Sequence, residues 1–145
     1  MLVSLGHWQD AWQDFQQIGL TYVLTAFIGW DREKEAHSAG LRTFPIVGMA
    51  SCGYLLLMGY HPNSADQSRL LQGLITGIGF IGGGAILKEG STVKGTATAA
   101  SVWNAGVIGA AVAMDQYGIA ITLALLNFFT LRALLPLKRW LGGGE

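Results

Sequence analysis

The chain has 145 residues, of which 51% are hydrophobic and only 12% charged, with a formal net charge of zero and a mean hydropathy of +0.41. Soluble domains carry roughly 25% charged residues, so an ordinary soluble domain is excluded, and the lack of a basic excess excludes nucleic-acid binding. The one cysteine, Cys52, rules out an intramolecular disulfide framework and any multi-cysteine metal site.

The charges cluster between long apolar runs. A spanning helix needs around 20 mostly apolar residues, and five segments are expected to form spans, at about 15–30, 44–60, 69–87, 96–114 and 118–137. Residues 1–17 form an interfacial amphipathic segment. Trp8, Ala11, Trp12 and Phe15 recur at helical spacing, and Gln9, Asp10, Gln13 and Asp14 take the other face. No basic stretch precedes the first apolar run, so a cleaved signal peptide is not expected. The first span is apolar or hydroxylic from 18 to 30 and reaches spanning length only by continuing upstream through Gln16 and Gln17.

The loop Asp31-Arg32-Glu33-Lys34-Glu35-Ala36-His37 follows. If helical, it sets Asp31 beside Glu35 and Glu33 beside His37. Carboxylates at this spacing are weak candidates for a hard cation. A solvated helix end with internal ion pairs is the favoured reading, so no metal is expected. Thr43 can cap the second span, with Pro45 in its first turn where a missing N–H costs little. Asp66 can cap the third. There, Gly77-Ile78-Gly79-Phe80-Ile81-Gly82 matches a dinucleotide fingerprint by accident, because the glycines lie inside an apolar segment without a preceding strand. Pro136 falls in the last turn of the fifth span, and 138–145 is a tail.

Basic residues set the orientation. Arg32, Lys34 and Arg42 follow the first span, Lys88 and Lys94 the third, and Lys138 and Arg139 the fifth, while Arg69 alone lies near the other side. The positive-inside rule then puts the N-terminus outside and the C-terminus in the cytoplasm, which requires an odd number of spans. The expected fold is an all-α bundle of five transmembrane helices.

Lipid gives helices no hydrophobic reason to associate, so small residues must let them pack. The chain has 21 glycines, where the usual share of about 7% gives about ten. Gly73 with Gly77 and Gly79 with Gly83 form small-xxx-small pairs in the third span. Ala97, Ser101, Ala105, Gly109 and Ala113 form a stripe every four residues in the fourth. The third and fourth spans are therefore expected to form the packed centre, and the glycine-rich helices to favour a homo-oligomer. Asn104 and Asn127, near the middle of the last two spans, are expected to pair as structural glue.

No nucleophile–base–orienter set is visible, so neither catalysis nor a cofactor is expected. Intramembrane ionisable residues usually mark ion pathways, but all nine acidic residues fall in loops or at span ends. The Gly82-Gly83-Gly84 run could break the third helix and expose carbonyls, which keeps transport as a rival. A faint internal echo also exists. Phe27-Ile28-Gly29 resembles Phe80-Ile81-Gly82, and Gly40-x-x-Thr43 resembles Gly95-x-x-Thr98, as if spans one-two and three-four were parallel repeats.

Gly29-Trp30-Asp31-Arg32-Glu33, Ala39-Gly40-Leu41-Arg42-Thr43 and Ser68-Arg69 together resemble the MgtC/SapB family of bacterial inner-membrane proteins. So do the glycine run from Gly77 to Gly84 and Val93-Lys94-Gly95-Thr96-Ala97-Thr98-Ala99-Ala100 with Trp103. The resemblance implies a bacterial cytoplasmic-membrane protein linked to growth at low magnesium and, in pathogens, to virulence. Members long labelled magnesium transporters are instead regarded, in the best-studied cases, as regulators of other membrane proteins, including the proton-driven ATP synthase. Many members carry a cytoplasmic C-terminal domain, and this sequence, which stops at Glu145, reads as a short form lacking that domain or as a truncated one, so no function of that domain is carried over. The usual Glu-Arg-Glu motif has Asp31 in first place. The expectation is a non-enzymatic regulator of magnesium homeostasis, with a magnesium or small-ion transporter or channel as the rival. Asp31, Arg32, Glu33, Arg42 and Thr43 would form a cytoplasmic cluster in which Asp31 or Glu33 pairs with Arg42.

Overall fold

The computed structural model describes residues 5–34, 39–59 and 64–141. Five helices follow in order, α1 (Leu5–Lys34), α2 (Thr43–Gly59), α3 (Ser64–Gly84), α4 (Thr96–Ala113) and α5 (Tyr117–Leu141), and two short strands, β1 (Leu87–Glu89) and β2 (Thr92–Lys94), separate α3 from α4. The five expected apolar segments are thus five helices. Most described residues are helical, and α4 and the first 18 residues of α5 are long and apolar enough to cross a membrane. Large apolar side chains such as Val23, Ile46, Leu57, Phe129 and Phe80 (86% exposed) point outward. That is the outer surface of a membrane protein, where lipid covers what water would reject.

The boundaries differ from the sequence reading in instructive ways. Residues 1–4 of the interfacial segment lie outside the described residues. From Leu5 onward that segment and the first span are one continuous 30-residue helix, about 45 Å long and so longer than a hydrocarbon core of about 30 Å. Trp12 and Phe15 stack at 5.6 Å on its exposed face. Thr43 is the first residue of α2 rather than its cap, since its N–H and that of Phe44 donate to the Gly40 carbonyl at 3.1 and 3.3 Å. Asp66 sits within the first turn of α3, where a carboxylate suits the helix dipole, and does not cap it. The third segment does not continue to Leu87. Three successive glycines favour termination, and Ala85 and Ile86 close the end with N–H bonds to Gly82 and Gly83. Leu87 instead pairs with Lys94 in an antiparallel hairpin turned at Gly90 (φ 60°). At the other end, α5 runs past Pro136 to Leu141, so residues 138–141 are helical.

Helix α4 is the hub and touches every other helix, with α2 its most extensive partner. Its inner face is buried from Thr98 to Val112, while Ala100 and Trp103 on the outer face are exposed. At Gly109 a side chain would strike the Gly48 carbonyl and come within 3.1 Å of the Cys52 nitrogen. On its other flank Gly48 lies against Thr21 and Thr25 of α1, so three helices meet at one glycine. One turn earlier, Gly106 leaves room for the Ile78 side chain of α3. Two buried hydroxyls close on their own helices, Thr25 donating to the Thr21 carbonyl at 2.6 Å and Ser51 to Val47 at 2.9 Å.

The expectation of a centre made by the third and fourth spans is therefore corrected. Gly73, Gly77, Gly79 and Gly83 meet nothing within 4 Å, and α3 lies at the periphery. The α4 stripe is not one seam either. Ala97 is exposed and Ala113 half-buried, while Ser101, Ala105 and Gly109 are buried. Four residues exceed a turn, so Ser101 and Gly109 are rotated by about 80°. Gly109 meets α2, whereas Ser101 donates to Asn127 of α5 at 2.9 Å. The two asparagines do not pair. Asn127 falls on the buried stripe of α5 with Ala120, Ala124 and Leu131, and Asn104 reaches the Leu123 carbonyl at 3.4 Å. Both still join α4 to α5, through other partners.

Replacing Gly109 with leucine should cost about 3 kcal/mol or more by overpacking a backbone contact. Gly79→Ala should leave stability unchanged or raise it by up to about 1 kcal/mol through helix propensity. Melting temperatures in detergent measure both, and the opposite ranking would return α3 to the centre.

Candidate functional site

The charged end of the bundle is shaped by glycines on both sides of the loop after α1. A side chain at Gly29 would come within 3.0 Å of the Gly40 carbonyl, and one at Gly40 would strike the Glu33 carboxylate and approach its Cα at 3.2 Å. The chain entering α2 therefore lies flat on the last turns of α1. Glu33 secures it, accepting the Leu41 N–H on Oε2 at 3.0 Å. Arg32 is 3% exposed, and Ala39 and Gly40 are buried beside this junction.

Of the expected cluster, Arg32 and Glu33 belong to this junction, and Thr43 opens the helix that leaves it. Arg42 is exposed, and Glu33 bonds to backbone rather than to Arg42, so the expected Glu33–Arg42 ion pair is not formed. Backbone wins because Leu41 lies eight residues on, at the point where the glycine contact brings the chain back to α1. The Asp31 side chain and Glu35 lie outside the described residues. Among the described residues no group of three acidic, histidine or cysteine side chains is placed to hold a metal. Gly29 and Gly40, which the sequence reading quoted without a role, make the junction possible. Two glycines bracketing a charged loop were the available signal.

A second junction on the far side of the hairpin repeats this construction. Gly95 has φ 88°, a backbone conformation that favours glycine, and a side chain there would strike the Ala85 carbonyl and lie 3.4 Å from the Ile86 Cα. Gly82 approaches the Ala99 carbonyl at 3.1 Å. Gly40 therefore packs on the residue four after Gly29, and Gly95 packs against the residue three after Gly82, while Gly82 itself meets Ala99 where Gly29 meets Gly40. The helix starts match as well, with Phe44 N–H bonded to Gly40 and Ala99 N–H to Gly95 at 2.8 Å. The echo seen in sequence is a shared way of reversing the chain. It places the exposed lysines Lys88 and Lys94 at the second junction.

The opposite end carries a polar network that sequence reasoning missed. Gln17, buried within α1, donates to Asp115 Oδ1 at 2.8 Å and to the Val112 carbonyl at 3.3 Å. The Tyr117 hydroxyl donates to the same Asp115 oxygen at 2.7 Å. Asp115 has φ 56° and forms the turn between α4 and α5. A cavity of about 200 Å³ lies beside it, lined by Gln13, Gln16, Gln17, Leu20 and Tyr117. Residues 95 and more apart in sequence give no local signal of this kind.

Glu33→Ala should destabilise the protein by about 1 kcal/mol through loss of a bond to backbone. Arg42→Glu should change stability by less than about 0.5 kcal/mol, as a surface substitution does. Thermal melts of the two variants in detergent decide between this junction and a charge pair.

Comparison with known proteins accords with these features. The chain is 31% identical to the putative magnesium transporter YhiD of Escherichia coli K12, over 76% of this chain and 57% of that protein. It is 33% identical to protein MgtC of Salmonella typhimurium, over 72% of this chain and 45% of that protein. It is 29% identical to an uncharacterized protein of Synechocystis, over 86% of this chain and 53% of that protein. The chain thus spans about half the length of the curated relatives it matches. No solved structure matches it. The profile of the MgtC family matches residues 18–140, from the middle of α1 through α5 and across both glycine junctions, and the chain belongs to the MgtC family.

Proposed function

We propose that this protein is a non-enzymatic regulator in the bacterial cytoplasmic membrane, linked to magnesium homeostasis and stress adaptation. In this reading it crosses the bilayer five times with its N-terminus outside. Its glycine-built junctions and hairpin then face the cytoplasm with Arg32, Lys34, Arg42, Lys88, Lys94, Lys138 and Arg139, as the positive-inside rule requires. On the family resemblance, its targets are other membrane proteins such as the proton-driven ATP synthase.

The contact of α2 with α4 carries this reading. A path for a hydrated or stripped cation needs a gap between helices lined by oxygen ligands. At the centre of this bundle the Gly48 backbone meets Gly109, and Ile78 fills the space beside Gly106. Of the buried hydroxyls nearby, those of Thr25 and Ser51 are spent on carbonyls of their own helices, and that of Thr21 stands without a hydrogen-bond partner among the described residues. The transporter reading draws on the printed name of the Escherichia coli relative.

Proteoliposomes containing only this protein should take up magnesium no faster than protein-free vesicles. Robust protein-dependent uptake would replace the regulator with a transporter. Orientation has its own test in a Cys52→Ser background. An impermeant thiol reagent applied to intact cells should label Gln116→Cys and spare Ser91→Cys, and the reverse pattern would invert the topology.

A further inference from the structure

A groove of about 450 Å³ runs between α2 and α3, within the size range of small-molecule sites. It exists because α3 packs closely on α4 but only lightly on α2. Gly73 and Gly77 open onto it, and a side chain at either would meet nothing within 4 Å. Leu70, Leu74, Ile78 and Ile81 make its α3 wall apolar. Ser51 borders it too, but that hydroxyl is already bonded to the Val47 carbonyl.

One end is chemically different. Arg69 and Tyr54 both line the groove and both are exposed. Each stands five residues from the end of its helix on the side where α2 ends and α3 begins, hence at the same depth, about 7.5 Å in. Among the described residues no carboxylate pairs with Arg69. Of the nine basic residues it alone lies near the end where α2 stops and α3 starts. A guanidinium at an interface snorkels to polar groups and matches a phosphate with two parallel hydrogen bonds. From Arg69 to Ile81 the apolar wall extends about 18 Å, against about 15 Å for the hydrocarbon of one leaflet.

We propose that this groove is a phospholipid site. One acyl chain lies over Gly73 and Gly77, and the phosphate of an anionic headgroup sits between the Arg69 guanidinium and the Tyr54 hydroxyl. The dimensions select a chain over a helix, since a helix about 10 Å wide and 18 Å long occupies about 1,400 Å³. The inference rests on α2 and α3 lying in the bilayer, and assigns the groove to the leaflet opposite the basic clusters.

Native mass spectrometry of the full chain, delipidated in mild detergent and titrated with phosphatidylglycerol or phosphatidylcholine, tests this. One phosphatidylglycerol should bind about tenfold more tightly than phosphatidylcholine, as expected of a charge-assisted hydrogen-bonded contact. Arg69→Gln should erase that preference. Gly77→Leu should abolish binding of both lipids while leaving the melting temperature of the lipid-free protein unchanged. Equal lipid binding by wild type and Gly77→Leu would overturn the proposal. So would a Gly77→Leu variant that lost a dimer but kept its lipid, which would assign the groove to a second copy of the chain. Magnesium flux would sink the regulator reading without touching this one, and loss of headgroup preference in the wild type would do the reverse.

Discussion

The approach of α2 to α4 at Gly48 and Gly109 governs the rest of the molecule. In a bilayer no hydrophobic driving force presses helices together, so stability comes from dispersion between surfaces close enough to touch. Two glycines let one backbone reach another, and that contact fixes the height of α2 against α4. The height of α1 follows, because Gly48 is also the seat for Thr21 and Thr25. Helix α5 is then held against α4 through Ser101 and Asn127, and against α1 through the stacked rings of Phe27 and Phe128 at 4.1 Å.

Helix α3 is outside this arrangement, and its position explains its composition. It touches α4 mainly through Ile78 at Gly106 and through Gly82 at Ala99. Its remaining glycines face space rather than a neighbour. Glycine in an exposed helix costs up to about 1 kcal/mol each relative to alanine, a cost that packing within this chain does not offset. The lipid proposed for the α2–α3 groove would supply contacts for Gly73 and Gly77, which line it.

The two junctions at the charged end show how the same physical problem is solved twice. A chain leaving one helix must reverse and enter the next without room for a long loop. Gly29 and Gly40 solve it by letting the return strand lie on α1, with Glu33 bonded to Leu41. Gly82 and Gly95 solve it around a hairpin, with the left-handed Gly95 pressed on Ala85. Both junctions hold charged side chains at fixed places on one surface.

Hydropathy and charge spacing made the five helices legible, since apolar runs of sufficient length between charged loops leave few other arrangements. Short-range pattern also exposed the echo between Gly29/Gly40 and Gly82/Gly95. Helix ends were legible only to within a few residues, because Thr43, Asp66 and Pro136 are each compatible with several positions in a first or last turn. Which small residues touch was not legible. Gly73 and Gly109 look alike in sequence, yet one faces open space and the other a backbone, because contact depends on the rotation and height of helices far apart in the chain. The same reason hid the Gln17–Asp115–Tyr117 network and moved Asn127 from Asn104 to Ser101. Sequence alone determined that this is an apolar, helical chain whose basic residues, Arg69 apart, fall in the segments after the first, third and fifth apolar runs or close to them. Only the tertiary structure decided that α4 is the hub and α2 its partner, because side chains spaced along a helix select a face only once a neighbouring backbone is there to meet it.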